Sequence, residues 1–202
     1  MIPQAPVQVL ALPGSLRTGS HNRRLLEVAG ELAPPATQVH AYGLDSLPLY
    51  NRDEEARGDP RPVEDFKEAI AGADALLIAT PEYNAGTSGV LKNAIDWASR
   101  PPGESVLGDK PVAIVGGGGR GGTRRAQAQV RAALEHPGAR VIDGPEVAVA
   151  RIWDRFDEQG RLVDDSVRES LRALLEDLAA EVRRERIRSL GSFPSHSLLA
   201  AA

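Results

Sequence analysis

The chain has 202 residues, of which 42% are hydrophobic and 26% charged, and its formal net charge is −4. This length allows one domain with a sizeable core, the acidic balance argues against general nucleic-acid binding, and no apolar run approaches the ~20 residues that span a membrane. Because cysteine is absent and the four histidines are scattered, disulfides and thiolate chemistry are excluded and a histidine metal site is disfavoured.

The first third of the chain alternates between strand and helix patterns. Apolar residues alternate from Val7 to Ala11 as in a β-strand, and those from Leu25 to Leu32 recur as on one helix face. Two prolines, Pro34 and Pro35, end this helix. A second strand (38–42), a long polar connection (47–62) and a second helix (63–70) are predicted next.

The rest of the chain continues the alternation. Two nearly all-apolar runs, 73–80 and 111–119, are predicted to be buried strands, because a half-exposed antiparallel strand would alternate with polar residues. Helices are predicted over 90–98, 126–134 and 167–182, and a fifth strand over 146–150. The pattern indicates an α/β fold, a doubly wound five-stranded parallel sheet with helices on both faces. We expect one domain over residues 1–190 and a flexible C-terminal tail over 191–202.

The polar stretch GSLRTGSHN, residues 14–22, lies between the first strand and the first helix. In a doubly wound sheet, ligands bind at the carboxyl ends of the strands, and a helix N-terminus there offers unpaired N–H groups to an anion. Ser15, Ser20 and Asn22 supply neutral donors, and Arg17 supplies the full positive charge. The GK[ST] ending of a nucleoside-triphosphate loop is missing, so the stretch suggests a single phosphate bound without a metal. The alternative is an ordinary loop in which Ser20 or Asn22 only caps the helix.

A second polar stretch, ATPEYNAGTSG over residues 79–89, again follows a strand and opens a helix. Five motifs of the chain belong together with this stretch: GSLRTGSHN, LPLYN (47–51), ADALLIATPEYN (73–84), GVLKNAIDWASRP (89–101) and KPVAIVGG (110–117). In this order and spacing they make the chain resemble the NADPH-dependent FMN reductases from residue 7 to about 155. The resemblance implies a flavodoxin-like fold and a relation to quinone, azo-dye and chromate reductases.

The resemblance also implies that FMN is the bound cofactor. By the family pattern, the FMN phosphate is held by Ser15, Arg17, Ser20 and Asn22. The isoalloxazine ring is lined by Pro81, Glu82, Tyr83 and Asn84, with Gly86 beside it and Gly116 and Gly117 at its other edge. A catalytic acid or base is not expected, because hydride transfer is chemistry that the cofactor supplies.

The reaction and the partners follow from the same resemblance. NADPH, or NADH, is expected to reduce the bound FMN, and a quinone, azo compound, nitro compound or similar acceptor then takes two electrons. A homodimer or homotetramer is expected, with the helix over 86–99 as the contact and Trp97 either in the core or at that contact. We expect no nucleic-acid or membrane partner. The N-terminus lacks the basic region of a signal peptide, so the expected location is the cytoplasm.

Two other functions fit parts of the sequence. A flavodoxin-type electron carrier would bind the same FMN without oxidising a nicotinamide itself, although its phosphate loop would typically lack the arginine. A Rossmann dinucleotide-binding enzyme is suggested by Gly116, Gly118 and Gly121, which satisfy G-x-G-x-x-G after a strand. That motif belongs to the first strand–helix turn, whereas these glycines follow the fourth strand. The chain also has Thr87-Ser88 where the family often has Ile-Pro, which bears on acceptor preference and flavin affinity.

Overall fold

The computed structural model describes residues 5–191, which form one sheet of six strands, six α-helices and one 3₁₀-helix. The strands are β1 Val7–Pro13, β2 Thr37–Ala41, β3 Ala75–Ala79, β4 Pro111–Gly117, β5 Arg140–Val141 and β6 Val147–Val149. The α-helices are α1 His21–Leu32, α2 Arg52–Glu55, α3 Arg61–Gly72, α4 Gly89–Ala98, α5 Arg124–Glu135 and α6 Asp165–Gly191. The 3₁₀-helix is Ile152–Arg155. The tail predicted for 191–202 lies outside the described residues except for Gly191, where α6 ends.

All strand pairs within the described residues are parallel, in the order β2-β1-β3-β4-β5, with β6 also paired to β4. The chain moves outward from β1 to β2 and then returns to place β3 on the other side of β1. The order of the strands therefore reverses between β1 and β3, which is where a doubly wound sheet opens a ligand crevice. The predicted flavodoxin-like, doubly wound parallel sheet is confirmed.

The fifth position of the sheet is divided between two short strands rather than filled by one. Pro111 and Val112 of β4 pair with β5, whereas Val115 to Gly117 pair with β6. Pro145 lies in the segment between them and has no backbone N–H to give to the ladder. The prediction of a strand over 146–150 corresponds to β6, but β5 was missed because two residues carry no periodic pattern.

Helices cover both faces of the sheet, as predicted. Alternate residues of β1 face opposite sides, so Val9 joins the core under α1 and α6 while Leu10 joins the core under α3, α4 and α5. Phe66 of α3 and Leu91 of α4 are fully buried in the second core. Each core extends along one face of the sheet. The sheet, packed on both faces, holds the loops at its carboxyl edge.

Three features differ from the sequence reading. The polar connection over 47–62 contains the short helix α2, which Asn51 caps by accepting a hydrogen bond from the Asp53 N–H. The 3₁₀-helix after β6 was not predicted. The charged run RRERIR (183–188) is predicted from the sequence to be a solvated helix end, but Arg186 donates to Asp74 Oδ2 at 2.7 Å and to the carbonyl oxygens of Ala5 and Pro6. None of the helices within residues 5–191 is both long enough and apolar enough to cross a membrane.

Candidate functional site

A cleft of about 190 Å³ opens at the carboxyl ends of β1, β3 and β4. Its walls come from the three stretches that follow those strands and from the 3₁₀-helix. The lining residues are Ser15, Arg17, Ser20, His21, Asn22, Pro81, Glu82, Tyr83, Gly117, Gly118, Gly119, Ile152 and Trp153. The cleft therefore lies at the reversal of strand order, where the fold predicts a ligand. Residues 5–191 hold no cluster of histidine, aspartate and glutamate able to bind a metal ion.

The stretch from Ser15 to Ser20 brings hydrogen-bond donors to the N-terminus of α1. Ser20 is the N-cap, and its Oγ accepts a hydrogen bond from the Arg23 N–H at 3.4 Å. Ser15 is buried at the wall of the cleft, whereas Arg17 is exposed and pairs with no carboxylate of residues 5–191. The Ser20 hydroxyl keeps its proton to donate, and the first N–H groups of α1 have no intrahelical partner. This end of the cleft is built to accept an anion.

Asn22 joins the first helix to the end of the fourth strand. Its Nδ2 donates to the Gly117 carbonyl oxygen at 2.9 Å, and its Oδ1 accepts from the Gly117 N–H at 2.8 Å. Both groups are buried. The amide therefore fixes the distance between the two walls of the cleft, in addition to offering its second Nδ2 proton to a ligand.

The imidazole of His21, the first residue of α1, also faces the cleft. Partial burial lowers the pKa of His21, and the positive charges of Arg24 and Arg17 lower it further. Its ring lies 5.5 Å from that of Phe156. At neutral pH this histidine is an uncharged donor beside Arg17. The sequence predicts no role for this side chain.

Glu82 is the carboxylate among the cleft-lining residues, and its charge is already compensated. Its side chain is 9% exposed and accepts hydrogen bonds from the N–H groups of Arg125 and Ala126, at 3.1 and 3.3 Å. The Arg125 guanidinium also forms an ion pair with this carboxylate, and its Nη2 lies 3.0 Å from Glu82 Oε1. The N-cap residue of α5, Thr123, makes no side-chain cap, so Glu82 provides that cap from 43 residues away.

A tight turn follows Glu82. Tyr83 and Gly86 exchange two backbone hydrogen bonds of 2.9 Å, and the residues between them, Asn84 and Ala85, have φ values of 50° and 63°. This is a two-residue turn of the type that requires positive φ twice. Asparagine tolerates that conformation, but alanine is strained in it. The turn is held to α5 because Gln129 Oε1 accepts from the Thr87 N–H at 3.0 Å.

The glycines after β4 are required by close packing. A Cβ on Gly116 would overlap the Thr80 carbonyl oxygen, and one on Gly117 would overlap the Ile152 side chain. Ile152 is 4% exposed, and its side chain packs against the end of β4 at Gly117. Gly119, in contrast, has no atom within 4 Å of an added Cβ. Its backbone faces open space at the cleft.

The structure brings together eight of the predicted site residues in the cleft. Those are Ser15, Arg17, Ser20, Asn22, Pro81, Glu82, Tyr83 and Gly117. Asn84, Gly86 and Gly116 do not line it, and the Gly86 N–H is committed to the Tyr83 carbonyl oxygen. The role of each of these residues toward a cofactor stays a prediction. His21, Ile152 and Trp153 were missed; only the position of His21, directly before Asn22, gave a signal that could have found it.

The departure at Thr87-Ser88 also has a structural role. Ser88 caps α4 by accepting from the Leu91 N–H at 3.2 Å, and its hydroxyl donates to the Gly14 carbonyl oxygen at 2.6 Å. Thr87 Oγ1 lies 3.0 Å from Thr80 Oγ1. The Ser88 hydroxyl thus connects the loop after β3 to the loop after β1, whereas the Thr87 hydroxyl joins the loop to Thr80 directly after β3.

The donor set fits a phosphate ester with a flat ring system. The end near Arg17 and the α1 N-terminus suits a phosphate, and the end near Tyr83 and the glycine backbone gives a flat body close approach. The carboxylate of Glu82 does not oppose an anion, because the α5 N-terminus and Arg125 neutralise it. The glycine run that begins at Gly116 follows β4 and not the first strand, so it does not occupy the place of a dinucleotide-binding loop.

Comparisons with known proteins agree with this chemistry. The model of the family described as NADPH-dependent FMN reductase matches residues 7–154. The chain is 48% identical to an NAD(P)H-dependent FMN reductase of Pseudomonas aeruginosa over 181 residues, 89% of this chain and 97% of that one. It is 38% identical to a 2-hydroxy-1,4-benzoquinone reductase of Burkholderia sp over 182 residues, 90% of this chain and 99% of the relative.

A solved structure gives the same result for the fold. The flavoenzyme FerB, an NAD(P)H:(acceptor) oxidoreductase from Paracoccus denitrificans, superimposes with a TM-score of 0.80 at 32% identity. The match covers 88% of this chain and 98% of FerB.

The cap that Glu82 gives to α5 predicts a measurable loss of stability. Glu82→Ala removes a charged cap from two backbone donors, so the free energy of unfolding should fall by about 1–2 kcal/mol. Glu82→Gln keeps one acceptor and should lose about half as much. Urea denaturation measures both. Glu54→Ala is the matched control, because it breaks an exposed ion pair with Arg57 and should cost at most about 0.5 kcal/mol. Equal stability of Glu82→Ala and wild type would contradict the cap.

Proposed function

Because this chain belongs to the NADPH-dependent FMN reductase family, we propose that its cleft binds FMN and that it is an NAD(P)H-dependent oxidoreductase acting on quinones. The single observation that supports this best is the cleft itself, with an anion site at one end and close backbone approach at the other. Azo and nitro compounds are further acceptors that we propose from the same reasoning. Residues 1–190 would serve as one FMN-binding domain.

Each wall of the cleft has a distinct task in this proposal. Arg17, with Ser15 and Ser20, holds the phosphate, while the backbone after β3 and β4 lines the ring. Bound FMN supplies the two-electron chemistry between a nicotinamide donor and an acceptor. The protein binds and orients these molecules and needs no acid or base of its own. Glu82 is consistent with this, because its oxygens are occupied by the α5 cap.

An assembly of two or four copies is the next part of the proposal. Trp97 is fully buried and its Nε1 donates to the Pro48 carbonyl oxygen at 2.9 Å, so it belongs to the core of the chain. The side chain next to Pro48, Leu49, is 84% exposed beside α4. Asn93 holds this segment through hydrogen bonds to Pro48 and Tyr50. We propose Leu49 and α4 as the contact between copies.

We also propose the cytoplasm, where reduced nicotinamides are regenerated, as the location of the protein.

The phosphate assignment is tested by separating FMN from riboflavin. Arg17→Ala removes a charge-assisted hydrogen bond of about 1.5–3 kcal/mol, so FMN affinity should fall about ten- to a hundredfold. Riboflavin, which lacks the phosphate, should bind equally well before and after the change. Fluorescence titration of the flavin-free protein measures both, with Arg172→Ala on the exposed face of α6 as control. Unchanged FMN affinity would refute the assignment.

The reductase activity is tested by anaerobic mixing of the FMN-loaded protein with NADPH or NADH. Direct bleaching of the flavin absorbance, followed by its return when a quinone is added, is the expected result. NADPH should be the faster donor. Should neither nicotinamide bleach the flavin while a partner reductase protein does, the chain would be an electron carrier and the enzyme proposal would fall.

The contact at Leu49 is tested by sedimentation velocity at micromolar concentration. Wild type should sediment as a dimer or tetramer, and Leu49→Glu should shift it toward monomer because a charge would be buried in the contact. Ile187→Glu, at an exposed apolar position on α6, is the control and should leave the assembly unchanged. A fully active wild-type monomer would count against the proposed assembly.

A further inference from the structure

The 3₁₀-helix after β6 presents a large aromatic side chain at the cleft. Trp153 lines the cleft and is 51% exposed. A tryptophan left half in water forgoes much of its hydrophobic stabilisation, so its position is informative when the segment that carries it is rigid.

The segment that carries Trp153 is tied to the glycine backbone of the cleft by the two residues directly before the tryptophan. The Arg151 N–H donates to the Gly119 carbonyl oxygen at 2.8 Å, and the Ile152 N–H donates to that of Gly118 at 3.1 Å. Arg151 has a left-handed backbone with φ of 48°, and its guanidinium pairs with Asp154 at 2.6 Å. Ile152 packs directly against Gly117. The indole is therefore mounted on a fixed base.

A second exposed aromatic ring lines the same cleft. Tyr83 is 49% exposed at the start of the tight turn after β3. The ring contacts within residues 5–191 join His21 to Phe156, Tyr42 to Phe66 and Tyr50 to Trp97, so neither Tyr83 nor Trp153 packs on another ring. Two half-exposed rings, one on the turn after β3 and one on the 3₁₀-helix after β6, thus line the same cleft without packing on another ring. Aromatic rings in this situation bind flat aromatic partners by stacking or edge contact.

We propose that Trp153 is a specificity-determining residue that, together with Tyr83, binds the flat ring of a quinone-class acceptor at the mouth of the cleft. This inference rests on the proposed reductase function and adds to it the reason for preferring planar acceptors. Gly118 and Gly119 have no side chains, so they cannot distinguish one acceptor from another. The choice among acceptors then depends on the rings that border the glycine backbone.

The kinetic test compares a flat acceptor with one that has no flat face. With NADPH saturating and FMN content equalised by absorbance, Trp153→Ala should raise the KM for 1,4-naphthoquinone about three- to tenfold. Its kcat should be unchanged, since the ring binds the acceptor and does not react. The KM for ferricyanide, an octahedral ion, should stay as in wild type. Trp153→Phe should restore most of the quinone affinity, and Ile187→Ala is the control for an exposed apolar side chain away from the cleft.

A binding measurement without turnover provides the second readout. The chain has two tryptophans, and the other, Trp97, is fully buried. Titrating 1,4-naphthoquinone into the oxidised protein without NADPH should quench tryptophan emission in a saturable way, and this saturable part should vanish in Trp153→Phe. An unchanged quinone KM in Trp153→Ala, an equal change for ferricyanide, or saturable quenching that persists in Trp153→Phe would each overturn the inference. Failure of wild type to oxidise NADPH with either acceptor would instead overturn the proposed function itself.

Discussion

The geometry of the cleft depends on one buried amide. Asn22 satisfies both backbone groups of Gly117, which lies 95 residues later in the sequence. β1 and β4 are not neighbours, because β3 lies between them, so backbone ladders alone do not set the separation of their loops. The paired hydrogen bonds join α1 to the glycine backbone directly. Loss of either partner would leave a buried donor and acceptor unsatisfied, which costs more than the bond itself contributes.

A second connection, at the N-terminus of α5, shapes the electrostatics of the cleft. Glu82 satisfies backbone donors there, and Gln129 on the same helix holds the Thr87 N–H of the following turn. The strained backbone at Ala85 is retained because hydrogen bonds on both sides over-determine it. The same arrangement neutralises a carboxylate that would otherwise repel a phosphate. Positioning and charge compensation therefore come from one helix end.

The sequence predicted the sheet well because long apolar runs such as 73–80 and 111–119 allow few other structures. It failed where the pattern is too short: β5 has two residues, and α2 has four. In the site, the polar residues after β1 were sufficient to predict an anion site with Ser15, Arg17, Ser20 and Asn22, whereas the other four lining residues were predicted only from the family resemblance. The partners of Asn22 and Glu82 could not be predicted, because they lie 95 and 43 residues away. Trp153 gave no signal, since its importance comes from where a 3₁₀-helix places it.

The long helix α6 has a consequence for the order in which the protein acquires its structure. Leu171, Leu178 and Val182 cover the same face of the sheet as Val9, and Arg186 holds the backbone beside β1. These contacts join the last described helix to the first strand. During synthesis at the ribosome, β1 to β4 are therefore made before α6 is available to cover its part of this sheet face. The nascent chain exposes that apolar surface until α6 emerges, so this interval is when it is most prone to aggregation and most dependent on chaperones.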